Sequence, residues 1–242
     1  MEPRRTVPRI KPTKEAIAAA ANDDGQRESR YELAKYSSEQ LARAGIELQL
    51  IGQIVGPDRA QDRSPFGHAN DETVAISVLL RIASQLISSS AGLFAAGHLY
   101  AAAALIRQLV EIEYLAWAFE TRDRDGERWL RSNQEQRQKF FKPAKLREAA
   151  KGKFRGKDYG YHCELGGHPV PQANILLDGD PAISQLLLSD MLGHVGRIWD
   201  HLVGWAMKND NGEPILKRGR ETSVRFNEWK ARDLLVDLPP PE

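Results

Sequence analysis

Two charged residues interrupt the most apolar stretch of the chain, residues 98–119 (HLYAAAALIRQLVEIEYLAWAF). Arg107 and Glu111 are four residues apart, so a helix places them on one face. The same stripe carries Tyr100 and Tyr114. Because burial of an unpaired charge is costly, Arg107 and Glu111 form either a structural ion pair or a ligand site. We treat both as candidate site residues.

Histidines are the other candidates for chemistry, since imidazole is suited to acid–base work near neutral pH. His162 and His168 lie in the glycine-rich segment YGYHCELGGHP, which predicts that turns display them. His162, Cys163 and His168 are zinc ligand types, but no CxxC or HExxH spacing accompanies them. The sequence therefore predicts no metal ligands and no cofactor.

A second polar stripe lies on a later helical segment. It consists of Asp190, His194, Arg197 and His201. One Asp and two His resemble a metal-ligand set, but Arg197 in their midst would repel a cation. We therefore expect this stripe to face solvent.

Residues 122–157 form the one basic segment, with thirteen Lys and Arg against five Asp and Glu, a local net charge of +8. Aromatic residues interleaved with this charge could stack on the bases of single-stranded nucleic acid. The candidate contacts are Arg128, Arg131, Lys139 and Lys142. The alternative is an amphipathic helix with a solvated face, broken or kinked at Pro143.

Start and stop signals delimit the remaining helices. The patterns predict one helix at about 38–55, a second beginning at Asn70-Asp71-Glu72, a tight break near Gly97, and a last long helix from Asp180-Pro181 to about Asn209. QANILLDG is the only short run typical of a strand, and it has nothing to pair with. The sequence thus predicts an all-α bundle of four to five long helices with irregular N- and C-terminal arms.

Composition suggests how the chain is organised and where it is located. We expect a flexible basic and polar arm over 1–36, a helical bundle domain over 37–210, and a tail over 211–242. Lys plus Arg (34) nearly balance Asp plus Glu (33), so no global field marks a nucleic-acid or membrane binder. The single cysteine excludes an internal disulfide and favours a cytoplasmic location. Residues 86–106 carry no charge, but their serines and glycines argue against a membrane span.

The chain resembles certain bacterial all-helical proteins of uncharacterised function, which are themselves similar to HEPN-like helical domains. The resemblance covers about residues 70–208. It depends on the Arg107/Glu111 helix, on the basic helix that follows, and on a later segment with the residues Tyr161, Gly167, His168 and Pro169.

The resemblance implies a dimer that cleaves RNA without a metal. HEPN-type ribonucleases use an Arg followed by a His after four to six intervening residues. Arg197 and His201 have three intervening residues, whereas Arg155 and His162 have six but lie in a glycine-rich segment.

Two functions remain open. The first is a non-catalytic helical interaction protein, as a homodimer whose basic segment binds an acidic protein partner or RNA. The second is a HEPN-like ribonuclease or nucleotide-modifying toxin or phage-defence effector. Its acid–base residue would be His162, His168 or His201, and its phosphate-binding residue Arg107 or Arg197.

Overall fold

The computed structural model describes residues 13–154 and 156–236, and the side chains within these ranges except those of 156–158. In the described residues every regular element is helical. The α-helices are α1 (Lys14–Asn22), α2 (Asp24–Ile54), α3 (Asp71–Ala95), α4 (Leu99–Thr121), α5 (Asp125–Arg131), α6 (Gln134–Phe140), α7 (Pro143–Ala149), α8 (Gly156–His162), α9 (Pro181–Ala206) and α10 (Glu213–Arg232). The predicted all-α bundle is confirmed, with α2, α3, α4, α9 and α10 as its long helices.

The α3–α4 hairpin forms the centre of the bundle. Gly97 adopts φ +78°, a left-handed conformation that glycine tolerates best, and the chain reverses there as predicted. More than half of the residues of α4 are buried, and α4 packs against α3 and α9. The apolar stretch 98–119 is therefore the core helix that its composition predicts.

One described helix, α3, is long and apolar enough to cross a membrane by length and composition. Of its qualifying 18-residue window, 56% is buried inside the bundle, as in the core helix of a soluble protein. The uncharged run 86–106 is split between α3 and α4 by the turn at Gly97.

The prediction of a flexible arm is wrong for residues 14–36, nearly all of which belong to the packed helices α1 and α2. The helix expected from about 38 begins at Asp24, because the Asp23 side chain accepts a hydrogen bond from the Gln26 amide (2.7 Å) and caps it. Ser38, at the expected start of that helix, lies inside α2 and donates to the Ser84 carbonyl oxygen on α3 (2.9 Å). Residues 1–12 of the expected arm lie outside the described residues.

The described part of the expected tail, residues 211–236, is also part of the bundle, and residues 237–242 lie outside the described residues. α10 packs against α2 and α9, and it buries Ile215, Phe226 and Trp229. The weak strand candidate QANILLDG is helical instead, since a 3-10 helix spans Pro171–Leu176.

The basic segment forms three short helices, α5, α6 and α7. Pro143 occupies the first turn of α7, where its missing N–H leaves no hydrogen bond unmade. The predicted break at this proline is confirmed.

Candidate functional site

The segment that carries His162 is held closely against the start of α4. A π-helical turn, Cys163–Gly167, follows α8 directly. A Cβ atom on Gly166 would lie 2.6 Å from the backbone carbonyl carbon of Ala103, so no larger residue fits there. The alanine-rich beginning of α4 and this glycine together fix the position of His162. Short π-helical turns of this kind are frequent at functional sites.

Two buried histidines face each other between α8 and α9. The Nε2 atoms of His162 and His194 are 3.1 Å apart, and each residue is only 2% exposed. Asp190, one turn before His194 on α9, places its Oδ2 atom 3.3 Å from His162 Nε2 and its Oδ1 atom 3.9 Å from His194 Nε2. Its side chain is 40% exposed, so it forms the solvent side of this cluster.

Glu113 on α4 orients His194 from behind. A Glu113 carboxylate oxygen lies 2.6 Å from His194 Nδ1, and the other accepts a hydrogen bond from Arg197 Nε (2.8 Å). A carboxylate only accepts hydrogen bonds, so Nδ1 of His194 must carry the proton. The lone pair of neutral His194 is therefore on Nε2 and points at His162.

Arg197 does not make a second hydrogen bond to that imidazole, although Arg197 Nη2 lies 2.8 Å from His194 Nδ1. Both atoms are donors once Nδ1 is protonated, and the Glu113 carboxylate stands as the acceptor beside both. The charge of Arg197 is thus directed at Glu113.

The ionisation of the cluster follows from its burial and its partners. Burial alone would raise the pKa of Glu113, but the hydrogen bonds and charges of His194 and Arg197 outweigh it and lower the pKa to about 2. Burial lowers the pKa of His162 to about 4, with Asp190 opposing the shift. Burial, with the Asp190 charge added, raises the pKa of the Tyr161 hydroxyl. At neutral pH, Glu113 is therefore ionised and His162 is uncharged.

This arrangement fits a tetrahedral metal ion. One ligand atom from each of His162, Asp190 and His194 lies within 4.8 Å of the other two. Ligand atoms about 2.0–2.1 Å from a tetrahedral zinc ion lie roughly 3.3 Å from one another. A carboxylate that accepts the Nδ1 proton of a histidine, as Glu113 does, is the usual orienting partner of a metal-binding imidazole. Among the described residues, the buried Asp190 Oδ2 atom has no hydrogen-bond partner.

Arg107 and Glu111 on α4 form a separate, half-buried cluster with Tyr159 on α8. Arg107 Nη2 lies 2.8 Å from Glu111 Oε1 and donates to the Tyr159 hydroxyl (2.9 Å), which in turn donates to Glu111 (3.1 Å). The Arg107 and Glu111 side chains are 28% and 31% exposed. The opposite charges of the pair are thus compensated within a three-residue network.

The remaining catalytic candidates do not join either cluster. His168 is exposed on the loop after the π-helical turn. His201 is buried, with Nδ1 2.5 Å from a Glu120 carboxylate oxygen. Arg155, which formed the other Arg/His spacing, lies outside the described residues.

The expectation that the α9 polar stripe faces solvent is wrong for its two histidines, whereas the side chains of Asp190 and Arg197 are 40% and 42% exposed. His194 and His201 are 2% and 5% exposed, because α4 presents Glu113 and Glu120 to this face of α9. Sequence reasoning missed Glu113 altogether. Its only sequence signal is an acidic residue within the apolar core helix, the same signal that singled out Glu111.

Two of the four predicted nucleic-acid contacts form ion pairs with carboxylates of the protein itself. Arg131 donates to Asp71 (2.6 Å) and pairs with Glu127, and Arg128 pairs with Asp125 (2.7 Å). Lys139 and Lys142 are exposed, as expected of a basic surface. The charge of α5 is therefore largely neutralised by neighbouring carboxylates, whereas the lysines of the α6–α7 region face solvent.

Comparison of the chain with protein-family models, with curated proteins and with solved structures finds no match. The resemblance to HEPN-like domains therefore stays a prediction, and the chemistry of the site has to be interpreted from its own geometry.

Proposed function

We propose that this protein binds a divalent transition-metal ion through His162, Asp190 and His194. One observation carries the proposal. Two buried imidazole Nε2 atoms 3.1 Å apart converge with a carboxylate, and Glu113 fixes the tautomer that keeps the lone pair of His194 on Nε2, the atom that would ligate the ion.

The donor set favours zinc or iron over magnesium or calcium. Imidazole nitrogen binds borderline and soft cations, whereas magnesium and calcium take oxygen ligands. Two His and one carboxylate leave coordination positions open, which is typical of catalytic centres and not of closed structural zinc sites. Such an ion supplies Lewis acidity, polarising a substrate oxygen or lowering the pKa of a bound water. We therefore propose a metal-dependent enzyme.

From the sequence, the positive charge of Arg197 is expected to repel a metal ion. The contacts of Arg197 in the structure remove this difficulty. Arg197 donates to Glu113 on the side of His194 away from the converging Nε2 atoms. Its charge is compensated by a carboxylate that is ionised at neutral pH. It acts as a positioning residue for Glu113 and thereby for His194.

Metal titration tests the proposal. Protein stripped with EDTA and dialysed is titrated with Zn²⁺ by isothermal calorimetry, and one site per chain is expected. His162→Ala and Asp190→Asn should each weaken binding at least tenfold. Glu113→Gln should weaken it about 10- to 100-fold through the orientation of His194. Circular dichroism on each variant separates loss of a ligand from loss of fold.

His168→Ala is the matched control, since it removes an exposed histidine six residues from His162 in the same segment. It should bind Zn²⁺ as the unaltered protein does. The metal centre would be overturned if the unaltered protein did not bind Zn²⁺. It would also be overturned if Asp190→Asn and His162→Ala bound Zn²⁺ as tightly as the unaltered protein does.

The two functions predicted from the sequence are alternatives that we favour less than a metal centre. A metal-independent HEPN-like ribonuclease that uses His162 or His201 is less favoured, because both histidines are too deeply buried to reach an RNA backbone directly. RNA cleavage that persists in EDTA and disappears in His162→Ala would reinstate it. An interaction role, as a homodimer or with an acidic protein or RNA bound at Lys139 and Lys142, is compatible with a metal centre. We propose a cytoplasmic location on the basis of the single cysteine.

A further inference from the structure

The exposed side of the proposed metal centre lies along the α9 face, at Asp190 and Arg197. The two side chains are 40% and 42% exposed, whereas the histidines beneath them are buried. Gly193 lies between them on the same face and has no side chain to cover the gap. A Cβ atom there would meet only Arg197 Nη1, at 3.6 Å.

The charges of the cluster favour a negatively charged occupant of that gap. Imidazoles that ligate a metal are neutral. The charges of Glu113 and Arg197 cancel, and Asp190 contributes one negative charge. A divalent ion would leave the centre with one net positive charge beside two buried imidazoles. Uncompensated charge in such surroundings is costly, so an anionic ligand is favoured over a neutral one.

Arg197 supplies the second contact that an oxyanion needs. Its Nε atom is committed to Glu113, which holds the guanidinium plane in place beside Gly193. Arg197 Nη1 lies beside Gly193, 3.6 Å from the place of a Cβ atom there, so the guanidinium reaches from Glu113 to the gap. There it can hold one oxygen of a phosphate or carboxylate while another oxygen ligates the metal.

We propose that the open position of this centre takes the oxyanion group of a small substrate, a phosphate or a carboxylate, which approaches over Gly193 and is held by Arg197. This inference rests on the proposed metal centre and specifies its substrate class. The gap lies at a single glycine, so we expect a small molecule there and not a polymer.

Cobalt-loaded protein tests the proposal, because tetrahedral Co²⁺ reports changes in its ligands through its visible absorption. Inorganic phosphate and acetate are titrated separately into protein carrying one Co²⁺ per chain. Saturable spectral change with either anion is expected. Arg197→Met and Gly193→Leu should each weaken that anion at least tenfold, with Gly193→Leu still binding Co²⁺.

Matched controls separate this effect from general perturbation. Arg225→Met removes a surface arginine of α10, and Gly92→Leu fills open space at an exposed glycine of α3. Both controls should bind the anion as the unaltered protein does.

The outcomes distinguish this inference from the proposed function. If Co²⁺ binds but neither anion changes its spectrum, the oxyanion site is wrong and the metal centre stands. If both anions bind to Arg197→Met and to Gly193→Leu as tightly as to the unaltered protein, they occupy another place and the inference is overturned. If no Co²⁺ or Zn²⁺ binds, the metal centre and the inference fall together.

Discussion

Arg30 and Asp233 form a fully buried ion pair between residues 203 positions apart in the sequence. Arg30 donates from Nε (2.6 Å) and Nη2 (2.8 Å) to the two Asp233 oxygens, a bidentate geometry. Asp233 also accepts from the Trp229 indole (2.6 Å) and from the Leu235 amide (2.9 Å). The pair thereby joins α2 to the end of α10.

We expect Arg30→Met to destabilise the protein by about 3 to 5 kcal/mol, because it strands a buried carboxylate. Urea denaturation followed by circular dichroism measures the change. Arg27→Ala is the control, since Arg27 lies one turn earlier and its Asp24 partner is 96% exposed. The control should cost less than about 0.5 kcal/mol. Similar losses in the two variants would show that the pair is not buried in solution.

Arg131 and Lys139 should respond differently to substitution, although both belong to the basic segment. Arg131→Met removes hydrogen bonds to the buried Asp71 carboxylate and should cost about 2 to 3 kcal/mol in thermal or urea unfolding. Lys139→Glu, at an exposed position, should change stability by less than about 0.5 kcal/mol. Equal effects would contradict the ion-pair network of α5.

The same contrast sharpens the nucleic-acid prediction. A Lys139→Glu/Lys142→Glu variant keeps the fold and tests RNA binding without the damage that Arg131 substitution causes. If these lysines contact phosphates, RNA affinity falls with salt at a slope of about 0.7 per phosphate neutralised, and the double variant has a smaller slope. RNA binding that is absent at low salt, or unchanged in the variant, would show that the lysines are a solvated surface.

Arg107 and Glu111 should behave as a partly solvated structural pair. We expect Arg107→Met to cost about 1 to 2 kcal/mol, since the pair is about 30% exposed and Tyr159 remains as a partner for Glu111. The Arg107→Met/Glu111→Leu double variant should recover part of that loss, measured by a double-mutant cycle in urea. Tyr159→Phe controls for the hydroxyl alone, at about 1 kcal/mol. Single losses above 3 kcal/mol would indicate full burial of the pair.

Local signals predicted the helices whose ends are determined locally. Gly97 marks the α3–α4 turn, Asn70 caps α3, and Asp180 with Pro181 begins α9, each through a contact within three residues. The start of α2 was missed because two cap-like sequences compete there. Asp23 caps the helix, whereas Ser38 lies inside it and bonds to α3 instead.

The candidate metal centre could not be predicted, because its residues come from three separate segments. Periodicity placed Asp190, His194 and Arg197 on one face of α9 but gave no information on what covers that face. Glu113 neutralises Arg197 from a helix 84 residues away in sequence. The sequence does not reveal that contact, so it predicts that Arg197 repels a cation and that the stripe faces solvent.

Glu72 on α3 is a partly buried carboxyl at the junction with α5 and α9. It accepts hydrogen bonds from the Glu127 amide (2.6 Å) and the Trp205 indole (3.1 Å). Burial raises the pKa of Glu72 to about 7, with the charges of Glu127 and Asp125 adding to the rise and the two hydrogen bonds opposing it. This carboxyl is therefore protonated in the folded state at pH values where it ionises in the unfolded chain.

The raised pKa of Glu72 predicts a loss of stability as pH increases. Between its unfolded value of 4.5 and about 7, the folded state binds a proton that the unfolded state does not, so unfolding becomes more favourable with rising pH. The shift corresponds to about 3 kcal/mol across that window. Glu72→Gln cannot ionise, so its stability relative to the unaltered protein should rise by about 2 to 3 kcal/mol from pH 5 to pH 8, in urea titrations at each pH. Glu135→Gln, at an exposed position on α6, controls for loss of one carboxylate and should show no such trend. A stability difference for Glu72→Gln that stays constant over this range would show that Glu72 ionises normally in the folded protein.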